Sequence, residues 1–222
     1  MRGCAQVIVT AFSSVLLVAT AISATARPPQ RQAAGASFEI VPGVRFGPIR
    51  KTTTRAALSS MFPLAAIQDA EIYIAEGFCT NGTRVFPDSA DEIDVAWQDA
   101  ARSRVSFVRT ATPNGRWVTS RGVRIGSLLT ELERLSGDVL IVSGFGWDCG
   151  GGLGWRESTG SVGLGLAIDP ADAEIGSTAP DADSILGDRP IRSDHPLIRQ
   201  IRVRVIEITQ SWGTHFDEKD CR

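Results

Sequence analysis

Apolar residues recur along this chain in two rhythms. Ile93, Val95 and Trp97 alternate with Asp94 and Ala96, and Val105 and Phe107 alternate with Arg104 and Ser106. Val162, Leu164, Leu166 and Ile168 alternate with Ser161, Gly163, Gly165 and Ala167; Ile201, Val203 and Val205 alternate with Arg202 and Arg204. Ile72 and Ile74 share one face of 71–75. A period of two predicts half-buried antiparallel strands. The unbroken apolar run 139–142 predicts a central strand. Helical spacing occurs in two short stretches, Leu58 with Met61 and Phe62, and Leu128 with Leu132 and Leu135. Pro48 suits the first turn of the earlier helix and Ser127 the N-cap of the later one, with Gly137 as its C-terminal stop. Pro113-Asn114-Gly115 marks a turn, read as a hairpin leading to Trp117.

These elements fall into two similar series. The pentad Gly43-Val44-Arg45-Phe46-Gly47 recurs seventy-nine residues later as Gly122-Val123-Arg124-Ile125-Gly126. Each pentad precedes a short helical stretch and then several strand patterns. The expected fold is α+β, two tandem repeats of a short helix plus antiparallel strands, with the helices packed on one face of the sheet. The first repeat spans 38–120 and the second 121–222. A long acidic loop at 169–196 interrupts the second, and is read as a solvated, functional or mobile segment. The basic residues Arg199, Arg202 and Arg204 along the last strand read as a solvated sheet face.

The N-terminus has its own pattern. Arg2 is followed by small and apolar residues to Ile22, and Ala24-Thr25-Ala26 is a small-x-small cleavage site. Residues 1–26 are thus expected to be a secretory signal peptide, and the Pro-, Gln- and Ala-rich 27–37 a flexible lead-in. No later segment has the apolar length of a membrane span. The expected location is secreted or periplasmic.

Composition narrows the function classes. With 23 basic and 25 acidic residues the net charge is −2, which gives no reason to expect binding to nucleic acid or anionic lipid. Cysteines 79, 149 and 221 remain after signal removal. An oxidising compartment favours one bridge, and three pairings are open. Cys79 and Cys149 lie beside core strand patterns and are the favoured pair, with Cys221 in a mobile tail. Cys149 as a nucleophile would need His195 or His215 as its base, and no nucleophile signature surrounds it. Neither a metal site nor a cofactor is expected: the two histidines lack zinc spacing, and the acidic loop lacks the calcium-loop pattern.

The densest local feature is 144–155, Gly-Phe-Gly-Trp-Asp-Cys-Gly-Gly-Gly-Leu-Gly-Trp, with six glycines, two tryptophans and a phenylalanine. It reads either as a recognition loop or as a strand-turn-strand crossing in which Trp147 and Trp155 complete the core and Asp148 caps the turn. As a recognition loop it makes Phe145, Trp147, Asp148, Trp155 and Glu157 the candidate binding residues. Asp148 and Glu157 are also a candidate acid pair for glycan hydrolysis, which requires their carboxyl groups roughly 5–9.5 Å apart in one cleft.

On Gly43, Gly47, Gly122 and Gly126, and more loosely Thr52 and Thr130, the chain resembles the two-repeat modules of β-lactamase inhibitor protein and of small outer-membrane assembly lipoproteins. There a G-x-x-x-G-(T) turn opens a short helix that leads into a meander of strands. The segment 144–151 also resembles a G-F-G-W-D-x-G-G signature of secreted bacterial proteins. The resemblance covers less than a third of the chain. It implies a non-catalytic module in the bacterial cell envelope whose partner is another envelope protein, and it carries over no residue for β-lactamase inhibition. The alternative expectation is an envelope hydrolase acting on a glycan or similar polar substrate.

Overall fold

A computed structural model describes residues 37–75, 77–146, 150–174, 179–213 and 219–221. The expected signal peptide, and all of the lead-in except residue 37, lie outside the described residues. Two short α-helices accompany strands that are mostly antiparallel.

The first pentad makes a tight turn between β1 (Glu39–Val41) and β2 (Arg45–Phe46), which pair antiparallel. Gly43 has φ +78°, and a Cβ there would lie 2.7 Å from the Thr159 carbonyl oxygen. The turn therefore packs backbone to backbone, which only glycine permits. Phe46 and Ile49 exchange reciprocal N–H···O bonds of 2.9 and 3.0 Å. Pro48 is thereby held in a turn rather than a helix. The helix α1 (Arg55–Met61) starts later, where the Thr54 hydroxyl accepts from the Ala57 N–H at 3.1 Å.

A meander follows: β3 (Ile67–Ala75), β4 (Phe78–Val85), β5 (Ile93–Trp97) and β6 (Val105–Thr110), each antiparallel to the next. The turn at 113–115 does not close a hairpin. Strand β7 (Val118–Thr119) leaves β6 and pairs in parallel with β1, Glu39 beside Val118 and Ile40 beside Thr119. That register equals the seventy-nine-residue spacing of the pentads.

The helix α2 (Leu129–Ser136) is capped differently from expectation. Leu128 stands at the N-cap, its N–H donating to Glu131 Oε2 at 2.9 Å, while the Ser127 hydroxyl accepts from the Arg124 N–H at 3.2 Å. Gly137 ends the helix in the left-handed conformation, as its sequence position predicts.

The run 139–142 is not a central strand. Strand β8 (Ile141–Ser143) pairs only with β11 (Pro190–Arg192), in a two-stranded sheet. Ile141 is 52% exposed, so hydrophobicity alone over-read this segment. Strands β9 (Gly152–Glu157) and β10 (Gly160–Ile168) form a hairpin, and β12 (Val203–Ser211) joins that hairpin to β6. The large sheet runs β3-β4-β5-β6-β12-β10-β9, with β13 (Lys219–Asp220) beside the start of β4.

One core cluster holds Val95, Val108, Ile208, Leu164, Val162 and Trp155 of this sheet together with Leu58 and Leu132. On the outer face a small cluster of Ile72, Ala96 and Phe107 is buried. Ile72 lies over Gly82, where a Cβ would meet it at 2.3 Å. Arg109, three strands away, donates to the Tyr73 carbonyl at 2.7 Å. The end of the β3–β4 hairpin therefore arches over the outer face.

Cys79 on that arm is bonded to Cys221, 142 residues away. The expected pairing of Cys79 with Cys149 is corrected. The tail is not loose at this point: β13 brings Cys221 to Cys79, and the Cys221 N–H donates to the Gly77 carbonyl at 2.9 Å. Cys149 lies outside the described residues.

The acidic loop makes ion pairs and short turns where described. Arg202 pairs with Asp172 at 2.9 Å, and Arg204 with Asp169 at 2.5 Å. Short 3-10 turns occupy Pro170–Asp172 and Ala182–Ile185. The basic stripe is exposed, as expected, and also ion-paired: Arg202 and Arg204 meet the acidic segment, and Arg199 pairs with Glu133 at 2.6 Å. Among the described residues no helix is long and apolar enough to cross a membrane.

Candidate binding site

The residues singled out in 144–157 separate into three groups. Trp147 and Asp148 lie outside the described residues. Phe145 is buried, its N–H donating to the Ile185 carbonyl at 2.8 Å and its carbonyl accepting from the Gly187 N–H at 3.0 Å. Trp155 and Glu157 alternate inward on β9, with 2% and 7% of their surfaces exposed. The Trp155 indole N–H donates to Glu157 Oε1 at 2.9 Å, and the Ser120 hydroxyl donates to the other carboxylate oxygen. Phe145, Trp155 and Glu157 thus complete the core. Their burial leaves them little surface for contact with a partner.

The same hairpin presents a different surface outward. Gly152 pairs with Gly165 and Gly154 with Gly163 across β9 and β10. None of the four has a positive φ. A Cβ at Gly154 would meet nothing within 4 Å, and one at Gly163 only an ordinary contact at 3.7 Å. Contrast Gly151, where a Cβ would sit 1.8 Å from the Leu166 carbonyl oxygen. Gly151 is dictated by packing, whereas Gly154 and Gly163 are not. Glycine inside a strand weakens it unless something else approaches the bare backbone.

These glycines floor a depression of about 470 Å³, walled by Ile74 from the arm and by Ile206, which is half-exposed on β12. A second depression of about 280 Å³ adjoins it, lined by Tyr73, Glu92 and Asp94. Arg109 and Glu207 border both. Arg109 donates to Asp94 Oδ2 at 3.1 Å and lies 3.9 Å from Glu207, and Arg84 donates to Asp94 Oδ1 at 3.0 Å. The Thr209 hydroxyl donates to Glu207 at 2.8 Å. Two arginines, Arg84 and Arg109, face three carboxylates, Glu92, Asp94 and Glu207, in one ion-paired network. The result is a concave face with a bare peptide floor, an aliphatic rim and an oriented ionic centre. It can hold a flat or extended group by contact and hydrogen bonding.

Other chemistry has less support. Glu71, Cys79 and Cys221 bring their ligand atoms within 4.8 Å of one another, but the two sulfurs are bonded to each other and offer no thiolate. Asp169 and Asp172 are engaged by arginines. His195 Nδ1 accepts from the Leu197 N–H at 3.2 Å, and His215 lies outside the described residues.

Sequence reasoning found the alternation of Gly163 and Gly165 with apolar residues. It did not find the site, because the pairing that sets these glycines beside Gly154 and Gly152 is a fact of register. No family model, curated protein or solved structure matches the chain.

Proposed function

We propose that this protein is a secreted, non-enzymatic binding module of the bacterial cell envelope, and that it receives another envelope protein on the concave outer face of its large sheet. The observation that carries this reading is the pair Gly154 and Gly163. Glycine is required there by neither backbone conformation nor packing, and both lie in the floor of a depression. A bare backbone at such a place suits close approach by another chain.

Two further observations support the location and the architecture. A disulfide within the described residues fits an oxidising compartment, in line with the signal pattern of 1–26. The large sheet reads outward from its centre as β6-β5-β4-β3 on one side and β12-β10-β9 on the other. That mirrored order, with the seventy-nine-residue register of β1 on β7, supports two related halves, as the resemblance to tandem-repeat binding modules implies. Leu58 and Leu132 both enter the main core, which supports helices on one face of the sheet. The hydrolase reading is favoured by no observation, since the Glu157 carboxylate is held in the core by Trp155 and Ser120.

The test is affinity capture from a cell-envelope extract with wild-type protein and with a Gly154→Arg variant of unchanged circular dichroism. A protein retained near stoichiometry by wild type and lost by the variant is the expected result. Equal retention by both, or none by either, would overturn the assignment of this face.

A further inference from the structure

We propose that the depression ringed by Arg121, Arg124 and Arg134 is a binding site for a phosphate group. It has a volume of about 500 Å³ and shares no lining residue with the two depressions on the sheet. Ten other arginines are neutralised by ion pairs to carboxylates. Among the described residues seven arginines form no such pair, Arg50, Arg104, Arg121, Arg124, Arg134, Arg156 and Arg189, and of these Arg121, Arg124 and Arg134 line one concavity together. All three are exposed, and in this open depression they form a patch of like charge. The arrangement is accounted for if an anion sits among them.

The local structure prepares the place. The Arg121 guanidinium lies 5.4 Å from the centre of the buried Trp155 ring, which orients it. The second pentad forms the adjoining turn, with Gly122 and Gly126 both at φ +89° and open space where each Cβ would stand. The peptide backbone is thus uncovered beside the guanidinium groups. Glu131 also borders the depression, but its Oε2 accepts from the Leu128 N–H and is committed to the first turn of α2. Three cations against that one carboxylate leave a local charge of +2.

This charge and donor set select the ligand class. A carboxylate is satisfied by one guanidinium fork, whereas a phosphate dianion offers oxygens in several directions and matches both the charge and a ring of arginines. The phosphate can be inorganic or can belong to the headgroup of an anionic lipid. The whole-chain charge of −2 conceals the site, because it averages the cluster with the acidic segments.

The test is a titration of inorganic phosphate followed by backbone amide shifts, with chloride at equal ionic strength as the reference. Saturable shifts confined to 121–135 are expected, with the dissociation constant raised at least tenfold in the Arg124→Ala/Arg134→Ala double variant. The Arg104→Ala variant, which removes an exposed arginine elsewhere, should bind as wild type does. Flotation with vesicles containing phosphatidic acid, but not with pure phosphatidylcholine vesicles, would assign the phosphate to a lipid; phosphate binding without flotation would assign a soluble one. Shifts that match chloride, that survive in the double variant, or that do not saturate by about 10 mM would overturn the site.

Discussion

Trp155 and Glu157 are each other's partner: the indole N–H donates to the carboxylate at 2.9 Å from two residues away on the inward face of β9. Ser120 satisfies the second oxygen from the turn that follows β7. An acid beside a tryptophan, which in sequence reads as a ligand-binding pair, is here a buried hydrogen-bonded pair with a surface serine on its second oxygen. Glu157→Ala removes the acceptor of the buried Trp155 indole N–H and of the exposed Ser120 hydroxyl. It should destabilise the protein by about 1–3 kcal/mol, and Glu157→Gln, which keeps an acceptor, by less. Urea denaturation measures both. Wild-type stability in Glu157→Ala would show that the carboxylate does no structural work.

Asp169 and Asp172 make the acidic segment pH-sensitive. The Ala171 N–H and then Arg204 hold the Asp169 carboxyl below its ordinary range, and Arg202 does the same for Asp172. A carboxylate whose pKa is lowered in the folded state stabilises that state fully above its unfolded pKa and loses the effect as pH falls through the folded one. The ion pairs should therefore be intact at neutral pH and fail only below about pH 4. Amide hydrogen exchange in 169–174 and 202–204 should rise there, before the inner strands exchange. In Asp169→Asn/Asp172→Asn the exchange should already be raised at pH 7 and be flat across the acid range. A wild-type rise centred above pH 5 would assign the transition to other groups.

The two rhythms of the sequence were a good guide to strands and helices and a poor guide to their neighbours. The alternation around Ile93 and Val162 marks strands because one face of the large sheet carries the main core; at Val105 it fails, since a register shift sets Val105 in the main core and Phe107 in the outer cluster. The run 139–142 misled, because a continuous apolar stretch does not reveal which strand will pair with it. The turn at 113–115 misled similarly: Asn114 has φ +62° and turns the chain, but β7 then finds β1. The Cys79 pairing could not be read, since it depends on a tail strand returning across 142 residues. The arginines at 202 and 204 and the aspartates at 169 and 172 were each visible, but only the fold shows that they neutralise one another.

The disulfide is the fastening of the arm that walls the candidate groove. Cys79 is buried on β4 and Cys221 follows β13. Joining residues so far apart restricts the unfolded chain, and removal of such a bridge typically costs about 2–4 kcal/mol. Cys79→Ala/Cys221→Ala should show that loss, with raised hydrogen exchange at 72–80 and little change in α2. Peptide mass mapping of non-reduced protein should yield a Cys79–Cys221 cross-link. Recovery of a Cys79–Cys149 peptide instead would contradict the arrangement of the tail.

The bare floor predicts an unusual response to substitution. Glycine in a strand carries excess backbone entropy in the unfolded chain, and replacing it where the new side chain fits stabilises the protein by about 0.4–1 kcal/mol. Gly154 has extended backbone and no neighbour in the way of a Cβ, so Gly154→Ala should raise stability by that amount. Gly151→Ala, with the Leu166 carbonyl 1.8 Å from the added carbon, should instead destabilise or unfold the protein. Thermal denaturation of the two variants side by side separates glycines the fold requires from those it does not. If Gly154→Ala is stabilising and also weakens retention of the envelope partner, the glycine is kept at the expense of stability for the sake of the contact. If it destabilises as Gly151→Ala does, the strand itself needs that glycine, and the argument for a surface shaped around a partner is lost.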